Sequence, residues 1–210
     1  EHLLIANTHD VILCFSNAGK VYWLKVYQIP VAGRSARGRP LINLLPLEED
    51  EHITSILPVH EYDEDHFVFM ATSQGTVKKT SLQAFSRPRT SGIRAVELRD
   101  DDRLVDVKMT TGDDDIMLFA SSGKSVRFHE SAVRPMGRTA AGVRGIRLGD
   151  DQAVISLEIA RDGEILTATE NGFGKRTPVA DFPVHGRGGQ GVIAIQTTDR
   201  NGNTVGAVRV

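Results

Sequence analysis

The chain has 210 residues, of which 40% are hydrophobic and 25% are charged, and its formal net charge at pH 7 is −2. This composition is ordinary for a water-soluble globular protein, and a net charge near zero does not by itself indicate a nucleic-acid partner. No apolar run approaches the ~20 residues of a membrane-spanning helix, and the first ten residues lack the basic and then apolar pattern of a signal peptide, so a cytoplasmic protein is expected.

A pair of glycines recurs four times along the chain. The opening glycines, separated by 56, 48 and 49 residues, are Gly19, Gly75, Gly123 and Gly172. Each is followed after 17 or 19 residues by a partner glycine, and the partners are Gly38, Gly92, Gly142 and Gly191. Self-similarity at a period of about 50 residues is typical of repeat proteins, whose units bury their cores against one another. The chain is therefore interpreted as one repeat domain.

In chain order, four strands are predicted in each repeat. The first repeat, 1–51, contains predicted strands around Leu3–Ala6, Val11–Phe15, Lys20–Val26 and Pro40–Leu44. The second, 52–101, contains predicted strands in 52–59, 66–73, 76–82 and 93–98. The third, 102–151, contains them in 103–109, 115–122, 124–130 and 143–148, and the fourth, 152–202, in 154–159, 164–170, 174–179 and 192–197. Residues 203–210 begin a further unit.

The spacing of apolar residues indicates strands throughout. Segments such as 143–148 alternate with period 2, and helical spacing is sustained nowhere. Four antiparallel strands in each repeat predict an all-β fold, a propeller-like array of four-stranded blades. The WD40 class is excluded because the lone tryptophan, Trp23, precedes Leu24, and the kelch class because no Gly-Gly pair recurs in each repeat.

The charged residues are distributed unevenly within each repeat. The windows 16–46, 74–96, 123–147 and 172–191 contain 19 of the 25 Lys and Arg residues but only two of the 27 acids, Glu130 and Asp181. Equivalent positions of successive blades lie at one radius and height, so the windows predict a positive band along one rim, suited to a polyanion. The alternative, that Lys and Arg only decorate a solvated strand face, stays open.

Residue types within the band favour contact with a phosphate backbone. Arginine presents a planar fork to phosphate oxygens, and loops of Gly, Ser and Thr add donors. The nearby aromatic residues are too few for base stacking, so duplex DNA is favoured over single strands. The candidate DNA-binding residues are Lys20, Arg34, Arg37, Arg39, Lys78, Lys79, Arg87, Arg89, Arg94, Lys124, Arg127, Arg134, Arg138, Arg144, Lys175, Arg176 and Arg187.

No sequence pattern favours catalysis, a metal or a cofactor. The run 172–177 lacks the spacing and the following helix of a phosphate-binding loop. The seven histidines form no metal-ligand spacing with the lone cysteine, Cys14, which also excludes an internal disulfide. The aspartate triplets 100–102 and 113–115 are interpreted as solvated turns. We expect no catalytic residue, no metal and no cofactor in this chain.

Stretches spread over the whole chain resemble the family of DNA gyrase A C-terminal domains. They include ANTHDVILCFS, ARGRPLINLLPLE, FMATSQGTVKKT, GVRGIRLG and LTATENGFGKRT. The resemblance implies a β-pinwheel, whose blades exchange strands and whose basic perimeter wraps duplex DNA for negative supercoiling by an ATP-driven type II topoisomerase. The implied partners are duplex DNA, the remainder of the gyrase A protein, and the gyrase B protein in an A2B2 holoenzyme. ATP and Mg²⁺ are then used elsewhere in the holoenzyme, and the DNA-cleaving tyrosine lies in another domain.

The signature of that family is a Q-R-R-G-G-K-G loop, called the box. Its nearest match is the box-like loop 185–191, with Gln190 where the box has Lys. The residues that the match assigns to the loop are Gly186, Arg187, Gly188, Gly189, Gln190 and Gly191. We expect the complete box upstream in a longer protein, of which this chain is a fragment that is monomeric in isolation.

Two alternatives to a gyrase domain stay open. The equivalent C-terminal domain of topoisomerase IV resembles the same fold but lacks the box. A protein-interaction propeller, with a basic rim that binds an acidic partner, would carry a similar distribution of charge.

Overall fold

The computed structural model describes residues 4–210, which form short β-strands and single turns of 3-10 helix, with no α-helix in that range. The strands are β1 (Val11–Ser16), β2 (Lys20–Lys25), β3 (Ile53–Val59), β4 (Phe67–Thr72), β5 (Thr76–Ser81), β6 (Ile93–Arg94), β7 (Leu104–Thr110), β8 (Asp115–Ala120), β9 (Lys124–His129), β10 (Val143–Arg144), β11 (Val154–Ile159), β12 (Glu164–Thr169), β13 (Gly174–Pro178), β14 (Val192–Ile193) and β15 (Thr204–Arg209). The 3-10 helices are Val26–Gln28, Leu41–Asn43, Leu82–Phe85, Glu130–Ala132 and Val179–Asp181. None of these helices is long and apolar enough to cross a membrane.

The strands form four antiparallel sheets in chain order. The first has the order β3-β1-β2-β6, the second β7-β4-β5-β10, the third β11-β8-β9-β14 and the fourth β15-β12-β13. Each four-stranded sheet takes its two middle strands from one repeat and its two edge strands from the next. The all-β, propeller-like architecture expected from the sequence is confirmed, and the exchange of strands agrees with the β-pinwheel that the resemblance implied.

The two edges of each sheet have different surroundings. The strands β3, β7, β11 and β15 pack against one another in succession, and we call them the inner strands. At the opposite edge lie β6, β10 and β14, which we call the outer strands. The outer strands therefore mark the perimeter of the array.

Apolar side chains fill the spaces between successive sheets. Leu13 and Phe15 of the first sheet pack with Val68 and Met70 of the second, and similar clusters join the later sheets. Middle strands such as β4 and β8 are buried on both faces, because each sheet is covered from two sides. Burial of a Leu or Phe side chain contributes about 1.5–3 kcal/mol, so these clusters hold the array together.

The opening glycines explain how an outer strand attaches to its sheet. The carbonyl oxygen of Gly19 accepts hydrogen bonds from the amides of Ala95 and Val96, at 2.8 and 3.2 Å. Gly75 accepts equivalent pairs from 145–146, and Gly123 from 194–195. All three glycines have a positive φ, between 73° and 83°, which side-chain-bearing residues rarely adopt. The repeat of the glycines is therefore a repeat of this attachment.

Several predicted strands are wrong in extent or type. Residues 4–6 of the predicted strand Leu3–Ala6 have no regular structure, and Leu3 lies outside the described residues. Each strand predicted in 93–98, 143–148 and 192–197 is only two residues long, because the chain leaves the ladder to reach the opening glycine.

The predicted strand Pro40–Leu44 is instead a 3-10 helix, Leu41–Asn43. Proline has no N–H to donate to a ladder. The segment packs Leu44 and Leu45 against Ile12 and Leu24 of the first sheet. It therefore covers an apolar face of that sheet.

Candidate nucleic-acid interface

Three connections run along the perimeter of the array, and we call them the rim connections. They are residues 86–92, 130–142 and 179–191. Each one leaves a sheet after the second strand of that sheet in chain order, which is β5, β9 or β13, and leads to the outer strand of the preceding sheet. Equivalent loops therefore lie at the outer edges of the first, second and third sheets, where the sequence predicted a basic rim.

Backbone contacts hold the rim connections against the sheets. Pro135 forms a parallel bridge with Lys79, and the amide of Met136 donates to the carbonyl oxygen of Lys79 at 2.8 Å. The next connection repeats this arrangement, since the amide of His185 donates to the carbonyl oxygen of Arg127 at 2.8 Å. The tips of these two connections, 137–142 and 186–191, therefore start from equivalent, fixed points.

The residues that follow the outer strands, 95–97, 145–147 and 194–195, are called the outer segments. Two rim connections are also bonded to the outer segment of the sheet before them. The amide of Glu97 donates to the carbonyl oxygen of Ala140 at 3.2 Å, and the amide of Arg147 donates to that of Gly189 at 2.8 Å. Both donors lie five residues after a partner glycine, and both acceptors two residues before one. These two bonds therefore link the perimeter of the first sheet to that of the second, and the perimeter of the second to that of the third.

Many of the predicted contact residues, on the rim connections and elsewhere, present an uncommitted positive charge to solvent. Eight of them are exposed and form no side-chain hydrogen bond or ion pair with any described residue: Arg34, Arg37, Arg39, Arg87, Arg89, Arg134, Arg144 and Lys175. Lys124 and Arg138 are half-buried and are likewise uncommitted. An uncommitted guanidinium can bind a phosphate without first breaking a bond inside the protein.

Three further candidates already pair with carboxylates. Lys20 bonds to Glu48, Arg94 to Glu97 and Arg176 to Glu164. These cations remain partly exposed, and exposed ion pairs contribute only ~0–1 kcal/mol to stability. A phosphate can therefore compete with the carboxylate for each of these three cations.

Lys78 is wrong as a phosphate contact because its side chain lies inside the protein. Lys78 is 1% exposed, and its ammonium donates to the carbonyl oxygens of Ala95, at 2.6 Å, and Arg138. Burial, with a smaller contribution from the charge of Arg138, lowers the pKa of Lys78 to about 8. Lys78 therefore joins the outer segment of the first sheet to the rim connection 130–142.

Lys79 is wrong as a phosphate contact for the same reason. Lys79 is 4% exposed, and its ammonium lies 3.3 Å from the carboxylate of Glu130, which is fully buried. That carboxylate also accepts from the hydroxyl of Thr110 and from the amides of Gly112 and Asp114, at 2.8 to 2.9 Å. The pair anchors the first residue of a rim connection.

Arg127 also directs its donors into the protein. Its Nε and Nη2 donate to one carboxylate oxygen of Asp115, at 2.9 and 2.8 Å. Its Nη1 donates to the carbonyl oxygens of Val179 and Phe182, at 3.0 and 3.3 Å. Arg127 therefore anchors the start of the rim connection 179–191.

Lys79 and Arg127 belong to a repeated contact between neighbouring repeats, which the sequence reasoning missed. Trp23, Lys79 and Arg127 each lie four residues after an opening glycine. Each donates a side-chain N–H to a backbone carbonyl of the next repeat; for Trp23 the acceptor is Phe85, at 2.9 Å. The constant spacing from the opening glycine could have predicted this shared contact. The three side chains differ chemically, however, so the sequence did not suggest that they have the same role.

The box-like loop 185–191 lies against the connection before it. Arg187 donates from Nε to the carbonyl oxygen of Ala132, at 2.8 Å, and from Nη1 to that of Arg144, at 3.1 Å. The amide of Gly188 donates to the carbonyl oxygen of Gly145 at 2.6 Å. Gly188 and Gly191 have positive φ, so glycine suits both positions. The loop is therefore packed across the outer edges of two sheets.

Other chemistry has little support in the geometry. Within residues 4–210, no group of three His, Cys, Asp or Glu side chains could hold a metal ion. Cys14 is buried, and burial raises the pKa of its thiol to about 12. A buried thiol that stays protonated is a poor nucleophile.

Comparisons with known proteins identify similar sequences and similar folds. The family model described as "DNA gyrase C-terminal domain, beta-propeller" matches residues 10–60, 66–111, 114–161 and 163–210. The chain is 61% identical to the DNA gyrase A protein of Salmonella typhimurium (strain LT2), over 211 aligned residues that include the whole chain. The chain covers 24% of that relative, so it spans about a quarter of the relative's length.

Two solved structures share the fold. The C-terminal domain of DNA topoisomerase IV aligns with a TM-score of 0.87 at 29% identity, over 97% of this chain and 64% of that one. A DNA gyrase A C-terminal domain aligns with a TM-score of 0.82 at 23% identity, over 98% of this chain and 67% of that one. The second similarity, at that identity, concerns the fold alone.

Proposed function

Because the chain belongs to the DNA gyrase C-terminal domain family, we propose that it is the part of a DNA gyrase A protein that binds duplex DNA along its rim connections and bends it. The surrounding enzyme is then an ATP-dependent type II topoisomerase with the composition A2B2, located in the cytoplasm. Its ATP, Mg²⁺ and DNA-cleaving groups belong to other parts of the holoenzyme. The chain itself acts by binding alone.

The observation that carries this proposal is the repetition of uncommitted cations on successive rim connections. Arg89 lies on the connection to the first sheet and Arg134 on the connection to the second. Arg34, Arg37 and Arg39 add three exposed cations in the segment between β2 and the first inner strand. A duplex that follows these positions from sheet to sheet must curve with the perimeter, and neutralisation of its phosphates compensates the cost of bending.

The recognition is expected to be independent of base sequence. Six of the eight exposed, uncommitted cations lie on loops, Arg144 and Lys175 lie on the strands β10 and β13, and none lies on a helix that could enter the major groove. Contacts to phosphates position DNA but carry no sequence information.

A topoisomerase IV domain is the nearest alternative. The 61% identity to a gyrase A protein, against 29% to the topoisomerase IV domain, favours a gyrase. An acidic protein partner would also be attracted to the rim, and the test of linking number below separates it from DNA.

The first test is the salt dependence of binding to a duplex of mixed sequence. If about six phosphates are neutralised, log K plotted against log salt concentration should have a slope of about −5. Binding that changes little between about 50 and 200 mM salt would contradict the proposal.

A second test distinguishes bending around the rim from simple attachment. A nicked plasmid is closed by ligase in the presence of the chain, and its linking number is compared with that of plasmid closed alone. Wrapping shifts the distribution of topoisomers, whereas a propeller that serves an acidic protein partner leaves it unchanged.

A further inference from the structure

Arg187 is the arginine of the box-like loop, and the sequence predicted that it contacts DNA directly. Its guanidinium instead donates to the carbonyl oxygens of Ala132, on the preceding rim connection, and Arg144, on the outer strand of the second sheet. The two acceptors are 12 residues apart in the chain. A single side chain therefore fixes two separate segments of the second sheet's edge to a loop of the third.

The same junction one sheet earlier is made by a different residue. There the ammonium of Lys78 joins Ala95, on the outer segment of the first sheet, to Arg138, on the rim connection 130–142. Lys78 is 1% exposed and is inaccessible to DNA, so its junction serves the structure alone. Its position three residues after an opening glycine is occupied by Val126 in the third repeat, which has no donor to offer.

We propose that Arg187 is a positioning residue, which locks the box-like loop to the second sheet. It takes over the role that Lys78 has one sheet earlier, since Val126 occupies the equivalent position. The lock holds Arg134 and Arg144 in register with the box-like loop. The inference rests on the proposed function, because the register matters only if a continuous duplex crosses both sheets. Two backbone hydrogen bonds accompany the lock, from the amide of Gly188 to Gly145 and from that of Arg147 to Gly189.

The geometry requires the fork of an arginine. Nε and Nη1 bond to two different carbonyls at 2.8 and 3.1 Å, and lysine concentrates its donors on a single nitrogen at the end of a flexible stem. Arg187→Lys therefore keeps the charge and weakens the lock. A residue that only neutralised a phosphate would tolerate this change, since lysine also binds phosphate as a point charge.

The experiment compares the chain with Arg187→Lys in two measurements, and thermal unfolding verifies that the variant is folded. Without DNA, amide hydrogen exchange is followed at Arg147 and Gly188, where we expect at least about tenfold faster exchange as local opening becomes easier. With a mixed-sequence duplex, the salt slope should become shallower by about two, since Arg134 and Arg144 lose their common register.

Two variants serve as comparisons. Arg134→Ala removes one exposed cation, so its slope should become shallower by about one while exchange at Arg147 and Gly188 is unchanged. Arg99→Lys alters an exposed arginine in an acidic turn outside the rim and should change neither measurement.

The outcomes separate this inference from the function on which it rests. An unchanged salt slope in Arg187→Lys overturns the positioning role, whether or not exchange accelerates. Unchanged exchange at both amides overturns the lock itself. If the parent chain binds DNA without salt dependence, the proposed function fails, and the exchange measurement still decides whether Arg187 locks the loop.

Discussion

The ammonium of Lys78 donates a 2.6 Å hydrogen bond to the carbonyl oxygen of Ala95 from inside the junction between two sheets. Ala95 belongs to the outer segment of the first sheet and Lys78 to a middle strand of the second. A positive charge that the sequence predicted to contact DNA thus joins two sheets. No carboxylate forms an ion pair with Lys78 among the described residues.

This buried ammonium makes a specific contribution to the pH dependence of stability. The folded-state pKa of Lys78, about 8, lies below the ordinary lysine value of 10.5, so protonation is disfavoured by folding. The unfolded chain binds more protons between these two values, and the contribution of Lys78 to stability therefore rises from pH 8 to pH 10.5. We expect a gain of up to about 3 kcal/mol across this window.

Urea unfolding at both ends of the window, for the parent and for Lys78→Met, measures this contribution as the difference between the two proteins. Other lysines and tyrosines cancel in that difference. Lys175→Met, at an exposed position, should follow the parent. If the free energy of unfolding changed with pH equally in the parent and in Lys78→Met, the lowered pKa of Lys78 would be contradicted.

The pair of Lys79 and Glu130 predicts an asymmetric result on mutation. Lys79→Met leaves the fully buried carboxylate of Glu130 without its cation, and removal of one partner of a buried pair costs about 3–5 kcal/mol. The double variant Lys79→Met with Glu130→Gln removes the unpaired charge and should recover part of that loss. Chemical denaturation of the parent, the single variants and the double variant gives the coupling energy, and equal losses in Lys79→Met and the double variant would argue against the ion pair.

Two glycines with the same backbone conformation should respond very differently to alanine. A Cβ on Gly123 would lie 2.1 Å from the carbonyl oxygen of Ile195, so Gly123→Ala must displace the outer segment and should cost more than about 3 kcal/mol. Gly172 has a φ of 80°, but a Cβ there would meet no atom within 4 Å. Gly172→Ala should therefore cost only the left-handed backbone strain, about 1–2 kcal/mol. Thermal unfolding of the two variants under one condition makes the comparison, and similar losses would contradict the attachment role of Gly123.

The arginines before the first inner strand provide a direct test of phosphate contact. Replacement of Arg34, Arg37 and Arg39 by alanine removes three exposed cations that make no described side-chain bond, so stability should change by less than about 0.5 kcal/mol per site. The salt slope should become shallower by up to about three, and the loss of affinity should be equal for duplexes of different sequence. A loss confined to one sequence would indicate base recognition instead.

Three aspartates define a prediction about the acidic turns. Asp50, Asp101 and Asp151 have φ values of 63°, 59° and 59°. Asparagine tolerates this left-handed region at least as well as aspartate and relieves repulsion within the triplet 100–102. Asp101→Asn should therefore keep or raise the melting temperature, whereas Asp101→Val should lower it, because a β-branched residue strains this conformation. A lower melting temperature for Asp101→Asn would mean that its carboxylate has a structural partner.

Local patterns in the sequence were sufficient for the class of fold and for most strands. Alternation with period 2 identifies β4 and β8, and a glycine that precedes a basic strand marks each hairpin, because these signals depend only on neighbouring residues. The unequal distribution of acidic and basic residues likewise predicted which connections carry positive charge.

The assignment of each cation depended on contacts between distant repeats. Lys78 and Lys175 occupy the same position after an opening glycine, yet the first is buried under the outer segment and the second is exposed on the three-stranded fourth sheet. Likewise, Arg34 and Arg187 occupy equivalent positions before a partner glycine, but only Arg187 meets carbonyl oxygens within reach.

The sequence by itself determined that this protein is a repeat of antiparallel hairpins with its basic residues concentrated at equivalent positions of each repeat, because turn conformation and strand alternation are local properties of the chain. Only the tertiary structure decided which of those basic residues face solvent and which join one sheet to the next. The reason is that each sheet is completed by strands from the following repeat, so the surroundings of a side chain are set by residues about 50 positions away.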